Sequence, residues 1–283
     1  MNVDELLSHY AAGKRDFREI DFTGIDLRGV NLSEANLRRA NLSQANLRGA
    51  DLRLANLREV VLVNADLSEA DLTQANLIGA EMHQVNLMDA NLTEVGLRGA
   101  KLTDANLSRA LLAGANLAEA MLDRAILVDA NLSEAVLTRS RLVAANLTRA
   151  ILENANLTNA ILNEAVLENA NLTAAILHGA SLEEANLRAA DMSRARIMSA
   201  NLTNADLSQA NLRGANLSWT SLRGANLHKA NLYRAKLNWA NLSEADLSEA
   251  VLINAKIAQV NFHNANLSRA IMPDGSGWES QKA

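Results

Sequence analysis

Large apolar residues recur at every fifth position of this chain without a break. The series runs from Phe17 to Met272 over 52 consecutive positions, nearly all of them leucine. Two residues before each of these centres stands a small residue, which is alanine at 42 of the 51 sites between positions 20 and 270. The other three positions of each repeat are mostly polar, with Asn or Asp commonly before the centre. The pattern therefore predicts two inward and three outward positions in every five residues.

A period of five fits neither common secondary structure. On an α-helix, residues five apart are rotated by about 140° from one to the next, so the leucines would be spread around the whole circumference. In a flat strand, an odd period would send successive leucines to opposite faces. The solution that gives a core is a short extended step followed by a turn, repeated so that the chain coils. Asn and Asp suit the corners of such a coil because their side chains bond nearby backbone.

The outward residues indicate how many steps make one coil. Residues of one type recur at multiples of 20 rather than 15, which predicts four steps per coil and about 13 coils stacked at the spacing of neighbouring strands, roughly 4.8 Å. The recurring sets are an arginine column, Arg18, Arg38, Arg58 and Arg98, and a tryptophan pair, Trp219 and Trp239.

The two ends of the coil differ in how well they can be covered. Apolar residues from Val3 to Ala11 follow the spacing of an amphipathic helix, and Gly13 stands where a helix C-terminal cap belongs. We expect this helix to cap the first coil. The other end has only a polar, glycine-rich tail, so we expect either that Trp278 folds over the last coil or that this end pairs with a second copy of the chain.

The repeats resemble those of a known family. Segments such as Ala-Asn-Leu-Arg-Gly from Ala45 and Ala-Asp-Leu-Ser-Glu from Ala65 are similar to the repeats of pentapeptide-repeat proteins. The resemblance implies an all-β fold, a right-handed quadrilateral β-helix over residues 16–272, between a capping helix in 1–15 and a tail in 273–283. The opening Asn2-Val-Asp-Glu-Leu-Leu and the closing Ile271-Met-Pro-Asp-Gly-Ser resemble cyanobacterial members, among which is a regulator of heterocyst differentiation.

Composition and the placement of reactive residues argue against catalysis. The chain has 32 acidic and 27 basic residues, five histidines and no cysteine. No two histidines have metal-ligand spacing, and a convex coil without loop insertions offers no concavity for a nucleophile and its base. We therefore expect no enzyme activity, no metal and no cofactor. No membrane span or signal-peptide pattern is present in the sequence, and we expect a cytoplasmic protein.

Two outward sets are candidate partner-binding residues. Stacked like charges in the arginine column repel one another, which suggests an anionic partner, unless the guanidinium groups spread into water beside acidic neighbours. Trp219 and Trp239 share a corner with Tyr233 and Arg234 nearby, and Trp, Tyr and Arg are enriched in binding hot spots. The alternative is that the two indoles stack on each other and only shield the corner.

The sequence leads to one main functional hypothesis and one alternative. The main hypothesis is a non-enzymatic rod that binds a protein partner, and the cyanobacterial resemblance implies a role in regulation or signalling. The alternative comes from pentapeptide-repeat proteins that resemble DNA and bind a DNA topoisomerase, gyrase. That mimicry needs a strongly acidic surface, whereas the N-terminal quarter of this chain is rich in arginine. Direct binding of nucleic acid through the arginine column is a third hypothesis, which we favour less than the other two, and we do not expect a membrane as a partner.

Overall fold

Each five-residue repeat folds as one extended residue followed by a tight turn. In the computed structural model, which describes residues 1–278, the N–H of Ala45 donates to the carbonyl of Leu42 at 3.1 Å, and Gln44 between them has a φ of 59°. A positive φ at the third residue of a turn, but not at the second, is the mark of a type II β-turn. The same turn recurs in every repeat from Glu19 to Arg269.

These turns place many ordinary residues in the left-handed region. At every fifth position from Glu19 to Arg269 φ is positive, and 42 of these residues are not glycine. An isolated non-glycine residue in this region costs about 1 kcal/mol or more. The cost is offset because each turn is held to the next coil; the N–H of Gln44, for example, donates to the carbonyl of Val63 at 2.9 Å.

Residues that are 20 apart pair through parallel β-bridges. The chain falls into two compact units, Met1–Arg141 and Leu142–Ala283, and the pairing holds inside each, as Asn36 with Asn56 and Asn186 with Asp206 illustrate. The described residues contain no strand longer than a single bridge, although an all-β fold suggests longer ones. The reason is that a turn follows each extended residue too soon for a ladder to grow along the chain.

The inward positions form a dry core of leucine and alanine in both units. In the first unit, the centres from Leu32 to Leu137 are at most 1% exposed, and the small residues between them are equally buried. The two polar exceptions at small positions are Ser140 and Thr220, whose hydroxyls donate to the carbonyls of Leu137 and Ile197, both at 2.7 Å. Their burial is therefore compensated by hydrogen bonds.

The residue before each centre uses its side chain to fix the corner, as the sequence predicts. Asn41 accepts a hydrogen bond from the N–H of Ser43 at 3.1 Å. In addition, Asn56 Nδ2 donates to Asn36 Oδ1, one coil earlier, at 3.0 Å. The amide therefore serves both the turn and the contact between coils.

The predicted N-terminal helix is present as α1, Val3–Ala11, with the side chain of Asn2 and that of Glu5 forming a capping box. Leu6 is completely buried, and Tyr10 Oη donates to the carbonyl of Ser33 at 2.8 Å. The helix is therefore anchored to the first coils at two points.

The C-terminal segment folds back on the last repeats. Ile271 and Gly277 form an antiparallel bridge, and the N–H of Trp278 donates to the carbonyl of Ala270 at 3.0 Å. The Trp278 side chain is half-buried, yet the centres Ile257 and Phe262 stay partly exposed in the described part of the chain. Residues up to Trp278 thus cover this end only in part.

The left-handed turns make a direct prediction about two glycines of one repeat. Gly99 has a φ of +67° with nothing within 4 Å of an added Cβ, whereas Gly96 has no positive φ and an added Cβ would make only ordinary contacts, the closest at 3.8 Å. We expect Gly99→Ala to destabilise the protein by about 1 kcal/mol because of backbone strain alone. Gly96→Ala is the matched control and should be neutral or slightly stabilising. Thermal unfolding of both variants checks this, and equal losses would contradict it.

Candidate functional site

Only the outward side chains are free to bind anything, because leucine and alanine occupy the interior. Those that sequence reasoning singles out fall in different units. The arginine column belongs to the first unit, and the tryptophan pair belongs to the second. Each set is therefore described by itself.

The arginine column in the first unit is largely neutralised by carboxylates. The Arg18 side chain donates two hydrogen bonds of 2.8 Å to the carboxylate of Asp16, and Arg98 Nη2 lies 3.2 Å from Glu119 Oε1. Arg38 Nη2 is 3.6 Å from Glu59 Oε1. Three of the four arginines of the column are therefore in solvent-accessible ion pairs, each of which contributes little to stability. The fourth, Arg58, is within 4 Å of no carboxylate that the structure describes.

The ion pairs shift the titration of their carboxylates. The hydrogen bond from the Arg18 side chain is the main reason that the pKa of Asp16 lies below its usual range. Glu59 also has a lowered pKa, chiefly because the Arg39 side chain donates to it. Both carboxylates are therefore charged at neutral pH.

The tryptophan pair in the second unit is stacked and exposed. The ring centroids of Trp219 and Trp239 are 5.0 Å apart with an angle of 3° between the planes. The residues remain 58% and 51% exposed, and each stands at the left-handed position of its turn. The two indoles do stack as the structural alternative proposes, yet their outer edges still face solvent. Stacking and binding are thus compatible here.

Tyr233 and Arg234 lie on the neighbouring turn rather than beside the indoles. The Tyr233 ring contacts two guanidinium groups, with Arg213 Cζ 5.2 Å and Arg234 Cζ 5.0 Å from its centroid. Both are within the range of cation–π attraction. The tyrosine therefore positions two arginines at this corner.

A groove at that corner contains residues that the sequence reasoning missed. Its volume is about 410 Å³, and its lining includes Arg194, Arg213, Gly214 and Arg234. Arg194 and Arg234 stand at equivalent turn positions on either side of Gly214, which has no side chain to fill the space between them. The sequence contains a signal for this groove, because Tyr233 and Arg234 stand 20 residues after Arg213 and Gly214, which is the spacing of paired residues in the coil.

The histidines and carboxylates of the described residues form no metal-binding group, and one histidine contacts a serine. No group of three or more His, Asp or Glu that could hold a metal occurs among residues 1–278. His228 Nδ1 lies 2.8 Å from Ser248 Oγ, a contact between residues 20 apart that sequence reasoning did not identify. Within the same residues, no helix has the length and apolar character needed to cross a membrane.

Comparison with protein families matches this chain to the model described as pentapeptide repeats. The matches together cover nearly the whole span from residue 16 to residue 272. The matched ranges are 16–53, 55–94, 90–129, 100–139, 125–164, 150–188, 165–204, 200–238 and 235–272.

Solved structures of similar proteins include two from cyanobacteria. HetL of Nostoc sp. strain PCC 7120, a pentapeptide-repeat protein involved in heterocyst differentiation regulation, is 32% identical, with 98% of this chain and 99% of HetL covered and a TM-score of 0.32. Rfr23 of Cyanothece 51142 is 34% identical, with 41% and 89% covered and a TM-score of 0.31.

A more distant structure is QnrB1, a plasmid-mediated fluoroquinolone resistance protein. It is 16% identical, with 69% of this chain and 91% of that chain covered and a TM-score of 0.35. A comparison with curated proteins found no match. Because all three TM-scores are below 0.5, the family assignment rests on the family model.

The Arg18–Asp16 pair predicts a local pH effect. Replacing Arg18 by Gln should raise the pKa of Asp16 toward its ordinary value of about 3.9, because the charged form loses its main hydrogen-bond donor. A folded-state pKa below the unfolded one means that the stabilisation is present above the unfolded pKa and is lost as pH falls through the folded pKa. A carboxyl ¹³C NMR titration measures this, and Arg28→Gln is the control because Arg28 pairs with Asp26. An unchanged Asp16 pKa in Arg18→Gln would contradict the assignment.

Proposed function

This chain belongs to the pentapeptide-repeat family, and we propose that it is a non-enzymatic protein that binds a protein partner through its outward side chains. The repeats imply a right-handed β-helix, in which the leucine and the small residue of each repeat form the core. Binding must therefore use outward side chains, and the best candidates are those that differ from the polar residues found at most outward positions. The partner-binding role follows from the largest such departure.

The exposed tryptophan pair is the observation that carries this proposal. The chain has three tryptophans, and two of them stand at consecutive equivalent corners with more than half of their surface in water. Leaving two large aromatic side chains exposed forgoes the free energy of burying them. Trp, Tyr and Arg in one region are also the residues that dominate binding energy in protein interfaces.

The finer features of the proposal concern biology and assembly. Similarity to cyanobacterial pentapeptide-repeat proteins supports a role in regulation or signalling in a cyanobacterium, and we propose the cytoplasm as its compartment. The partly exposed centres Ile257 and Phe262 are consistent with pairing of two copies through the C-terminal end. The division of the chain stays a prediction: a capping helix in 1–15, about 13 quadrilateral coils in 16–272 and a tail in 273–283.

Affinity capture from the host organism tests the partner-binding role. We expect the wild-type protein to retain a specific protein, and the Trp219→Ala/Trp239→Ala variant to lose most of it because the aromatic anchors are gone. The partner is then purified and its affinity for both forms is measured by calorimetry. Leu54→Ala is the matched control, because Leu54 is 54% exposed at the same left-handed turn position in the first unit. Equal affinity of the double variant and the wild type would overturn the role of the tryptophan pair.

DNA mimicry is the alternative function, and its charge requirement is poorly met. The acidic excess is five charges over the whole chain, and the arginine column adds basic residues to the first unit. We therefore expect no inhibition of gyrase supercoiling and no protection of gyrase from a quinolone at micromolar protein. The assay uses heat-denatured protein as its control. Clear inhibition by the folded protein but not by the denatured protein would support DNA mimicry after all.

A further inference from the structure

One side of the second unit has positive charges and no negative ones. Its cations are found on two turns and the straight step between them, in the segments 193–199, 213–219, 233–239 and 253–259, which contain no Asp or Glu. We call this side the basic face. Its cations are Arg194, Arg196, Arg213, Arg234, Lys236 and Lys256, all of them exposed.

The geometry brings these residues together in two adjoining groups. One series of parallel bridges joins four residues in succession, Arg196, Asn216, Lys236 and Lys256. Their side chains therefore lie on the same side of neighbouring coils. Arg194, Arg213 and Arg234 line the groove at the turn that precedes this side. The tryptophan pair stands on the turn that follows it. An apolar anchor therefore borders the straight part of the face, and a basic groove borders its other edge.

None of the six cations forms an ion pair with a carboxylate that the structure describes. The nearest carboxylate along the chain, Asp191, accepts hydrogen bonds from the Ser193 N–H and from Asn211. Asp274 continues the series of turn positions beyond Asn254, outside the face. Six exposed positive charges that no described carboxylate neutralises create a local positive field, which attracts an anionic ligand.

The carboxylates of the same coils lie on the other half of each coil. Between residues 193 and 259 the carboxylates are Asp206, Glu244, Asp246 and Glu249. Two cations of that half approach them, Arg223 with Glu244 and Lys229 with Glu249, both at 3.7 Å. The sorting of charge by side is therefore local to this region and is not a consequence of net charge.

We propose that the basic face binds an acidic segment of a protein partner, an inference that rests on the proposed function and names the chemistry of its partner. Carboxylates would enter the groove, where the planar guanidinium groups of Arg194, Arg213 and Arg234 can each donate two parallel hydrogen bonds. An apolar side chain of the same segment would pack on the exposed edges of Trp219 and Trp239.

Two observations favour an acidic polypeptide over a nucleic acid. The indoles already stack on each other, with centroids 5.0 Å apart, so a base cannot enter between them without separating the rings. The opposite half of the same coils is acidic, which weakens attraction for a long polyanion but leaves short-range contacts intact. A short acidic segment with an apolar residue fits both conditions.

The test measures binding of a fluorescein-labelled oligo-glutamate peptide that contains two leucines. The wild-type protein should bind it with an affinity that falls as salt rises, and Arg213→Gln/Lys236→Gln should weaken binding by about 10-fold or more, because two positive charges that donate charge-assisted hydrogen bonds are removed. Arg223→Gln/Lys229→Gln is the matched control, since it removes one Arg and one Lys from the other half of the same coils. It should change the affinity by less than about 2-fold.

Three results would overturn the inference. They are absence of peptide binding by the wild type, equal weakening by the control variant, and tighter binding of single-stranded oligothymidylate than of the peptide. Thermal unfolding of both variants confirms that they are folded.

The captured partner separates this inference from the proposed function. If the partner binds Arg213→Gln/Lys236→Gln as well as it binds the wild type, the function stands and the acidic docking surface is wrong. If the peptide binds but no partner is captured, the proposed function is at fault.

Discussion

The packing of one leucine and one small residue into the interior of every five-residue step is the constraint on which this structure depends. The interior is narrow, so a second bulky side chain in each step would overfill it, and a second small one would leave a void. Keeping both residues inward in every step requires a turn after each extended residue. That requirement explains why so many ordinary residues accept a left-handed conformation, which costs about 1 kcal/mol or more when isolated.

The same constraint confines variation to the outward positions. Most changes to a core residue create a cavity or a clash, although valine replaces alanine at Val60, Val85 and Val95, whereas an outward residue usually changes with little effect on stability. Charges and aromatic rings can therefore accumulate on one side of a few coils. The basic face and the tryptophan pair are such an accumulation, and the arginine column is another in which carboxylates provide the balance. What distinguishes the two surfaces is pairing, not the number of arginines.

Sequence reasoning recovered the repeat fold well and the surface only in part. The inward leucines and alanines and the corner role of Asn and Asp follow from the five-residue repeat, and the 20-residue coil follows from the recurrence of outward residues. The bridges and hydrogen bonds agree with both. Arg213 was missed because it does not stand in a column of like residues, and Arg194 was missed because Gly214 interrupts its column before Arg234. Their significance depends on an empty position at Gly214 and on a tyrosine 20 residues after Arg213, which a search for repeated residues does not detect.

The sequence by itself determined which side chains are inside, because a five-residue period of Leu and Ala has one arrangement that buries both. Only the tertiary structure decided which outward charges have partners. Arg18 and Arg98 find carboxylates two and 21 residues away, whereas Arg194, Arg213 and Arg234 meet across a groove. Whether a guanidinium group reaches a carboxylate within hydrogen-bond distance depends on side-chain direction at each corner. That direction is set by the turn and by the coils on either side, and not by spacing along the chain.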